Sequence, residues 1–534
     1  LLMEAAAKRL NVPMSELTTD KGNVIYGSKK LNYGELANEA STLPVPENVQ
    51  LKSVKDFKII GTPVKNVDND AMFTGQPLYG LDVYRDGMLH AMIQRPPFGM
   101  KLKSVNSDEA KKVKGVKDVL TFKDNVAVVG EGTWPLIKAR RLLNIEYEPI
   151  DKALESTAFH NRKFDEMLNS GKAEVKRKDG DVDTAFKNAA RVIKSEYQCP
   201  FLSHSPMEPM NFFAHVKEDS VELIGPSQTP DRARKAAAEI CGIAPEKVSV
   251  ELTRLGGGFG RRLRADFVEE AVELSKMLKA PVKLTWSRED DITGGAYRPA
   301  VKYRFEAALN SKDELIGYKL CGVGMNSGNS TRENNFPAGA IDNLEISSME
   351  YNSPITTNAW RAPITNFLAF AEQSFLDEVA EAIGKDPVQF RLDLLDKAKS
   401  KPVGEIQYDI DRMKGVITTV AEKSGWGKKQ GVSQGFSVYF SHRSYVAQVA
   451  ESKIVEGKAV LDKIYAVTDC GIVINPTGAD QQVRGGMLDG MGHAMFANLT
   501  FTNGVADQKN FDSYRLIRMK EIPEIETHFI DNGI

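Results

Sequence analysis

Between a β-branched run, Val248-Ser249-Val250-Glu251-Leu252, and a helix-like stretch from Val268 to Lys279 lies Leu255-Gly256-Gly257-Gly258-Phe259-Gly260-Arg261-Arg262. No other segment constrains the chain so tightly. Four glycines around one aromatic allow left-handed or strained backbone angles and let main-chain N–H groups close around an anion. The helix that follows would add partial positive charge at its start, and Arg261 and Arg262 would offer bidentate contacts to phosphate. On spacing alone, a glycine-rich turn with exposed arginines is equally compatible. Two other phosphate loops are excluded. No Gly-Lys-Ser/Thr follows, and the GxGxxG fingerprint with its downstream acidic residue does not fit.

Around this loop, strand-like and helix-like stretches alternate through most of the 534 residues, which predicts a large α+β architecture. Residues 1–54 read as helix, strand, helix, with a break at Pro44 and Pro46; residues 55–150 read as a mixed α/β unit. A charged stretch, 151–190, reads as a surface connector, and 191–330 and 331–534 as two parts of one large α+β region. The net charge of -2 gives no general attraction to nucleic acid or acidic lipid, and no apolar run is long enough to span a bilayer. Cys199, Cys241, Cys321 and Cys470 are far apart, so zinc-ribbon, ferredoxin and disulfide-framework readings fail. His204 and Glu208 have the spacing of one helical face, but Pro206 and Pro209 argue against a helix there.

The segment Gly256 to Arg262 resembles the Gly-Gly-Gly-Phe-Gly signature of the xanthine dehydrogenase and aldehyde oxidase superfamily. Its Arg-Arg ending is similar to the isoquinoline 1-oxidoreductase large-subunit (beta) branch. Further stretches agree with that branch in the same order: His204 to Asn211, Ser287 to Asp291, Tyr297 to Ala300, Trp360-Arg361 before Glu372 to Glu378, Asp469-Cys470-Gly471 before Asn475-Pro476, and Asn510 to Arg515. Residues 55–150 resemble the α/β hammerhead domain of the same enzymes.

The resemblance implies a molybdopterin-binding catalytic subunit of a molybdenum hydroxylase, an oxidoreductase that oxidises N-heteroaromatic compounds with water as the oxygen source. Two alternatives stand beside it: an aldehyde oxidoreductase of the same superfamily, or a non-catalytic scaffold that keeps the fold. The implied cofactor is molybdenum–molybdopterin in a cytosine dinucleotide form, held by Gly257, Gly258, Phe259, Gly260, Arg261, Arg361, Gln482, Gly485 and Gly486. For Arg361 a pairing with a core carboxylate, and for the helix residues ordinary packing, remain open. His204 and Glu208 would lie on the substrate side, with a buried structural role favoured over a catalytic one. Asp469, Gly471 and Asn475 would shape a turn. No side chain is read as a direct metal ligand. Because the cysteines match no cluster pattern, [2Fe–2S] clusters would reside on a small partner subunit.

The chain also departs from the branch. Counting back from His204, the family's metal-side glutamine falls on Leu202. Arg484 stands where the branch has glutamate, and Ala362-Pro363-Ile364 replaces a serine-valine-glycine type of turn. Both termini read as cuts: the stretch with the catalytic glutamate would follow the Phe529-Ile530 strand, beyond Ile534, and a Met-Gly-Gln-Gly stretch would precede residue 1. Any export signal would lie upstream, leaving periplasm and cytoplasm both open.

Overall fold

The computed structural model describes residues 1–49, 51–150 and 154–531. They divide into two compact units, Leu1–Thr62 and Pro63–Ile534. In the first, helices Leu2–Leu10 and Tyr33–Ser41 flank a three-stranded antiparallel sheet, where the sequence suggested one strand. Ala5, Ala6, Val24 and Leu36 fill its small core, and Asn32 caps the second helix by accepting from the Gly34 N–H at 2.9 Å.

The second unit is built on three larger sheets. A seven-stranded mixed sheet runs 248–252, 221–225, 211–216, 282–285, 89–94, 125–130, 116–122 in spatial order. Its join is a parallel pairing of Val282–Thr285 with Leu89–Gln94, so strands from the hammerhead-like segment and from the glycine-loop segment share one sheet. Apolar residues of helices Pro230–Cys241 and Asp266–Leu278, among them Ala233, Ala237, Phe267 and Ala271, cover it through one core cluster. A five-stranded sheet and a four-stranded sheet share a second core with helices Thr365–Ala382, Pro387–Ser400 and Ile410–Ser424.

The stretch read as a connector needs correction over its described part; Asp151, Lys152 and Ala153 lie outside the described residues. Helix Thr157–Asn169 buries Phe164 and Leu168, and strand Glu174–Asp179 forms the edge of the five-stranded sheet against Leu344–Tyr351. Its charges misled because an edge strand and a one-sided helix keep many polar side chains in water. Among the described residues, no helix is long and apolar enough to cross a membrane.

Candidate functional site

The glycine-rich loop leaves strand Val248–Leu252 and reaches helix Asp266–Leu278 through a single 3-10 turn, Arg261–Leu263. That intervening turn means the helix start does not abut the loop as the sequence suggested. Phe259 (φ 54) and Gly260 (φ 107) both lie in the left-handed region. Gly260 is required twice over: its backbone angle suits glycine alone, and a Cβ there would collide with the Ala359 carbonyl.

Glu208 anchors the loop from beneath. Its Oε2 accepts from the Gly256 N–H at 2.8 Å and from Arg262 Nη2 at 3.3 Å, and its Oε1 accepts from Asn211 Nδ2 at 3.0 Å and the Leu81 N–H at 3.2 Å. Arg262 is fully buried and donates to the carbonyls of Gly257 (2.8 Å) and Glu208 (2.7 Å). Burial pushes its pKa down to about 10, with the Glu208 carboxylate opposing. Arg261 is equally buried and forms a two-pronged pair with Asp266, both contacts at 2.9 Å. The expectation that these arginines reach a phosphate therefore fails. Both guanidinium groups are turned inward, where desolvated charge demands internal partners.

A second segment closes on the loop. The Arg361 N–H donates to the Phe259 carbonyl at 2.8 Å and Asn358 Nδ2 to the Gly260 carbonyl at 2.8 Å. His204 Nε2 meets the Ala359 carbonyl at 2.9 Å, which fixes the proton on that nitrogen. Burial lowers the His204 pKa to about 3, so the ring is neutral. His204 and Glu208 thus hold the two walls of the site, the buried structural role the sequence favoured. Gly471 (φ 74) and the Asn475 cap likewise form the turn into helix Pro476–Met495.

Arg361 lies against that helix. Its Nη1 pairs with Asp489 at 2.7 Å and its Nη2 donates to the Gln482 carbonyl at 2.7 Å. Burial raises the Asp489 pKa and Arg361 counters it. Gln482, Gly485, Gly486 and Asp489 share one helical face. A Cβ at Gly485 or Gly486 would stand 3.4 and 3.6 Å from the guanidinium, so the glycine pair gives the arginine its bed. Arg484 points away: it pairs with Asp480 at 2.8 Å and donates to the Ile525 carbonyl at 2.9 Å, tying the helix to the last strand. The charge reversal is thereby explained locally. Ala362 (φ 57) and Ile364 (φ 67) keep the positive angles of a glycine turn without glycine, a strained arrangement for a β-branched side chain.

Phe259, Gly260, Arg361, Gln482 and Gly485 line one cavity of about 630 Å³. Gly257 and Gly258 belong to its supporting loop, and Gly486 borders Arg361 from the other side. Three lining residues were missed. Gln228 accepts from the Gly260 N–H at 3.1 Å, placing a glutamine amide where the sequence count pointed to Leu202; Leu202 is buried in a hydrophobic cluster instead. Trp360 is 5% exposed, stacks on Phe259 with centroids 6.5 Å apart, and its Nε1 has no partner among the described residues. Asp489 was missed although it continues the Gln482 face.

The profile of the molybdopterin cofactor-binding domain matches residues 164–394, and a second profile of the same description matches 382–523. The chain belongs to the molybdopterin cofactor-binding family. Isoquinoline 1-oxidoreductase subunit beta of Brevundimonas diminuta is 27% identical over 99% of this chain and 75% of its own length. A membrane-bound aldehyde dehydrogenase of Gluconacetobacter polyoxogenes is also 27% identical, over 99% of this chain and 75% of the relative. The crystal structure of quinoline 2-oxidoreductase from Pseudomonas putida 86 superposes with a TM-score of 0.75 at 14% identity, covering 91% of this chain and 93% of that one, so the fold is shared.

The residues of this molybdopterin-binding chain fit a phosphate-bearing heterocycle. An unpartnered indole N–H, the Gln228 and Gln482 amides and the Arg361 guanidinium form a donor-rich wall. Two helices, Pro230–Cys241 and Thr365–Ala382, begin within two residues of lining positions Gln228 and Pro363 and turn positive ends that way.

Proposed function

We propose that this chain is the molybdopterin-binding subunit of a molybdenum hydroxylase that oxidises N-heteroaromatic compounds with water as the oxygen source. The observation carrying this is the convergence of the Phe259 loop and Arg361 on one donor-rich cavity. Bound there, the molybdenum–pterin group supplies the two-electron oxidising centre. The chain's own residues do the rest. Phe259, Gly260, Arg361, Gln482 and Gly485 hold the group, with Gly257, Gly258 and Gly486 shaping the backbone and bed that position them. Gln228 and Trp360 offer donors, and Arg261 acts only by bracing the loop. The helix starts at Pro230 and Thr365 support a dinucleotide form of the cofactor, cytosine being the base that the family resemblance favours. The acid–base carboxylate that the resemblance implies is assigned to no described residue; Asp489 is spent on Arg361.

Electrons leave through a partner. The four cysteines stay scattered in the fold, with Cys199 buried and its thiol pushed up in pKa by burial, so [2Fe–2S] clusters belong to a small partner subunit. The test is to purify the native gene product with its companions, count molybdenum and iron per chain, and identify the nucleotide released by acid hydrolysis. About one molybdenum per chain and an iron-bearing companion support the reading; a metal-free protein overturns it. The 27% identity to an aldehyde dehydrogenase favours aldehydes as a second substrate class, separable by assaying both with a dye acceptor.

A further inference from the structure

Behind Trp360 and Arg361 lies a second cavity, of about 520 Å³, between helices Thr365–Ala382 and Pro476–Met495 and the face of the sheet that carries Tyr439 and Val446. Trp360 and Arg361 line both cavities, so the two adjoin. Its walls are largely apolar: Ala369, Phe370, Phe436, Val446 and Ala494 contribute. Into this surround comes one buried amide. Gln373 is 4% exposed, and its Oε1 accepts from Arg391 Nε at 2.8 Å and from the Val438 N–H at 3.4 Å. Because a guanidinium only donates, the atom facing Arg391 must be the oxygen. The amide NH2 then points elsewhere, and Nε2 has no partner among the described residues. A buried donor without an acceptor is costly unless something supplies one.

The charges of the same cavity are already neutralised. Asp377 pairs with buried Arg391 at 2.8 Å and Asp489 with Arg361 at 2.7 Å. His493, packed edge-on to Trp360 with centroids 4.3 Å apart, is held neutral, its pKa lowered to about 3 mainly by burial and then by Arg298 and His204. Among the described lining residues no cation is left to receive an anion. We propose that this cavity is the substrate chamber, built for a neutral, planar aromatic ring carrying one hydrogen-bond acceptor, which takes the Gln373 amide N–H. Carboxylated rings are rejected, because they would meet two carboxylates whose arginines are committed. This inference rests on the reading of the adjoining cavity as the cofactor site and narrows its substrate class.

The test uses the full chain in its native complex and three probes: isoquinoline, naphthalene (the same shape without the ring nitrogen) and isoquinoline-3-carboxylate. Binding is measured by equilibrium titration, with molybdenum per chain measured alongside. Isoquinoline is expected to bind about tenfold more tightly than either analogue, since leaving a buried donor unpaired discriminates strongly. Gln373→Leu should bring isoquinoline down to the naphthalene level. That variant also strips Arg391 of an acceptor, so a second one is included. Ala494→Trp fills the cavity from an exposed helix position and should weaken isoquinoline about tenfold at unchanged molybdenum content. Equal binding of the three probes overturns the proposal, as does wild-type isoquinoline affinity in Ala494→Trp. Isoquinoline binding that persists in a molybdenum-free wild type and falls in Ala494→Trp would support this chamber while refuting the cofactor reading.

Discussion

Replacing Glu208 separates two roles that its position allows, loop anchor and substrate-side acid or base. The side chain is 6% exposed and accepts from four donors, two on each oxygen. Glu208→Ala leaves the guanidinium of Arg262 buried without its carboxylate, and removing one member of a buried pair costs about 3–5 kcal/mol. Glu208→Gln is informative because it keeps the shape. Whichever way the amide is turned, its NH2 confronts two donors: Gly256 N–H and Arg262 on one side, or Leu81 N–H and Asn211 on the other. The expected loss is about 1–3 kcal/mol, the cost of unsatisfied buried groups. Chemical denaturation read by two probes measures both losses, and molybdenum per chain reports whether the loop still holds its ligand. Stability should fall in the order wild type, Gln, Ala, with cofactor content following. If Glu208→Gln and Glu208→Ala are as stable and as fully loaded as wild type yet lose turnover, the anchor argument is wrong and the carboxylate acts on substrate.

Gly260→Ala should abolish cofactor retention while sparing most of the fold, because its Cβ meets the Ala359 carbonyl at a positive φ of 107°; metal analysis of the soluble variant checks this, and full loading would refute it. Stability should decline as pH falls below 6.5 towards about 3. His204 and His493 have folded pKa values depressed to about 3, so the unfolded chain binds more protons across that window. His493→Phe keeps the ring against Trp360 and should flatten that decline in pH-dependent denaturation; an unchanged slope would count against a buried neutral imidazole. Arg484→Glu, which restores the branch's usual residue, should destabilise by about 1 kcal/mol, since it sets a like charge against Asp480 and leaves the Ile525 carbonyl without its donor. Thermal denaturation measures it, and a gain in stability would show that the helix-to-strand tie is not formed.

The loop Gly256 to Gly260 was legible in the sequence because its demand is local. Four glycines round one aromatic announce a backbone that other residues cannot adopt. The ordered stretches from His204 to Arg515 carried the family for a similar reason: each is a short constellation preserved in place. The fold assigns several of them to clamping. Tyr514, for example, accepts from the buried Ser203 N–H at 3.1 Å, next to His204. What the sequence could not provide was direction. Arg261 and Arg262 look like anion ligands on paper, yet both turn inward to Asp266 and Glu208. The glutamine at the site is Gln228, supplied by the end of strand Val221–Gly225, and only packing of that strand end against the loop brings it there. Likewise the parallel pairing at residues 282–285 and 89–94, the bed of Gly485 and Gly486 under Arg361, and the unpaired amide of Gln373 join residues far apart along the chain. Backbone preference is set within a few residues, so the chain states it outright. Side-chain partnership depends on which distant segment occupies the neighbouring space, and that is settled only when the sheets and helices pack.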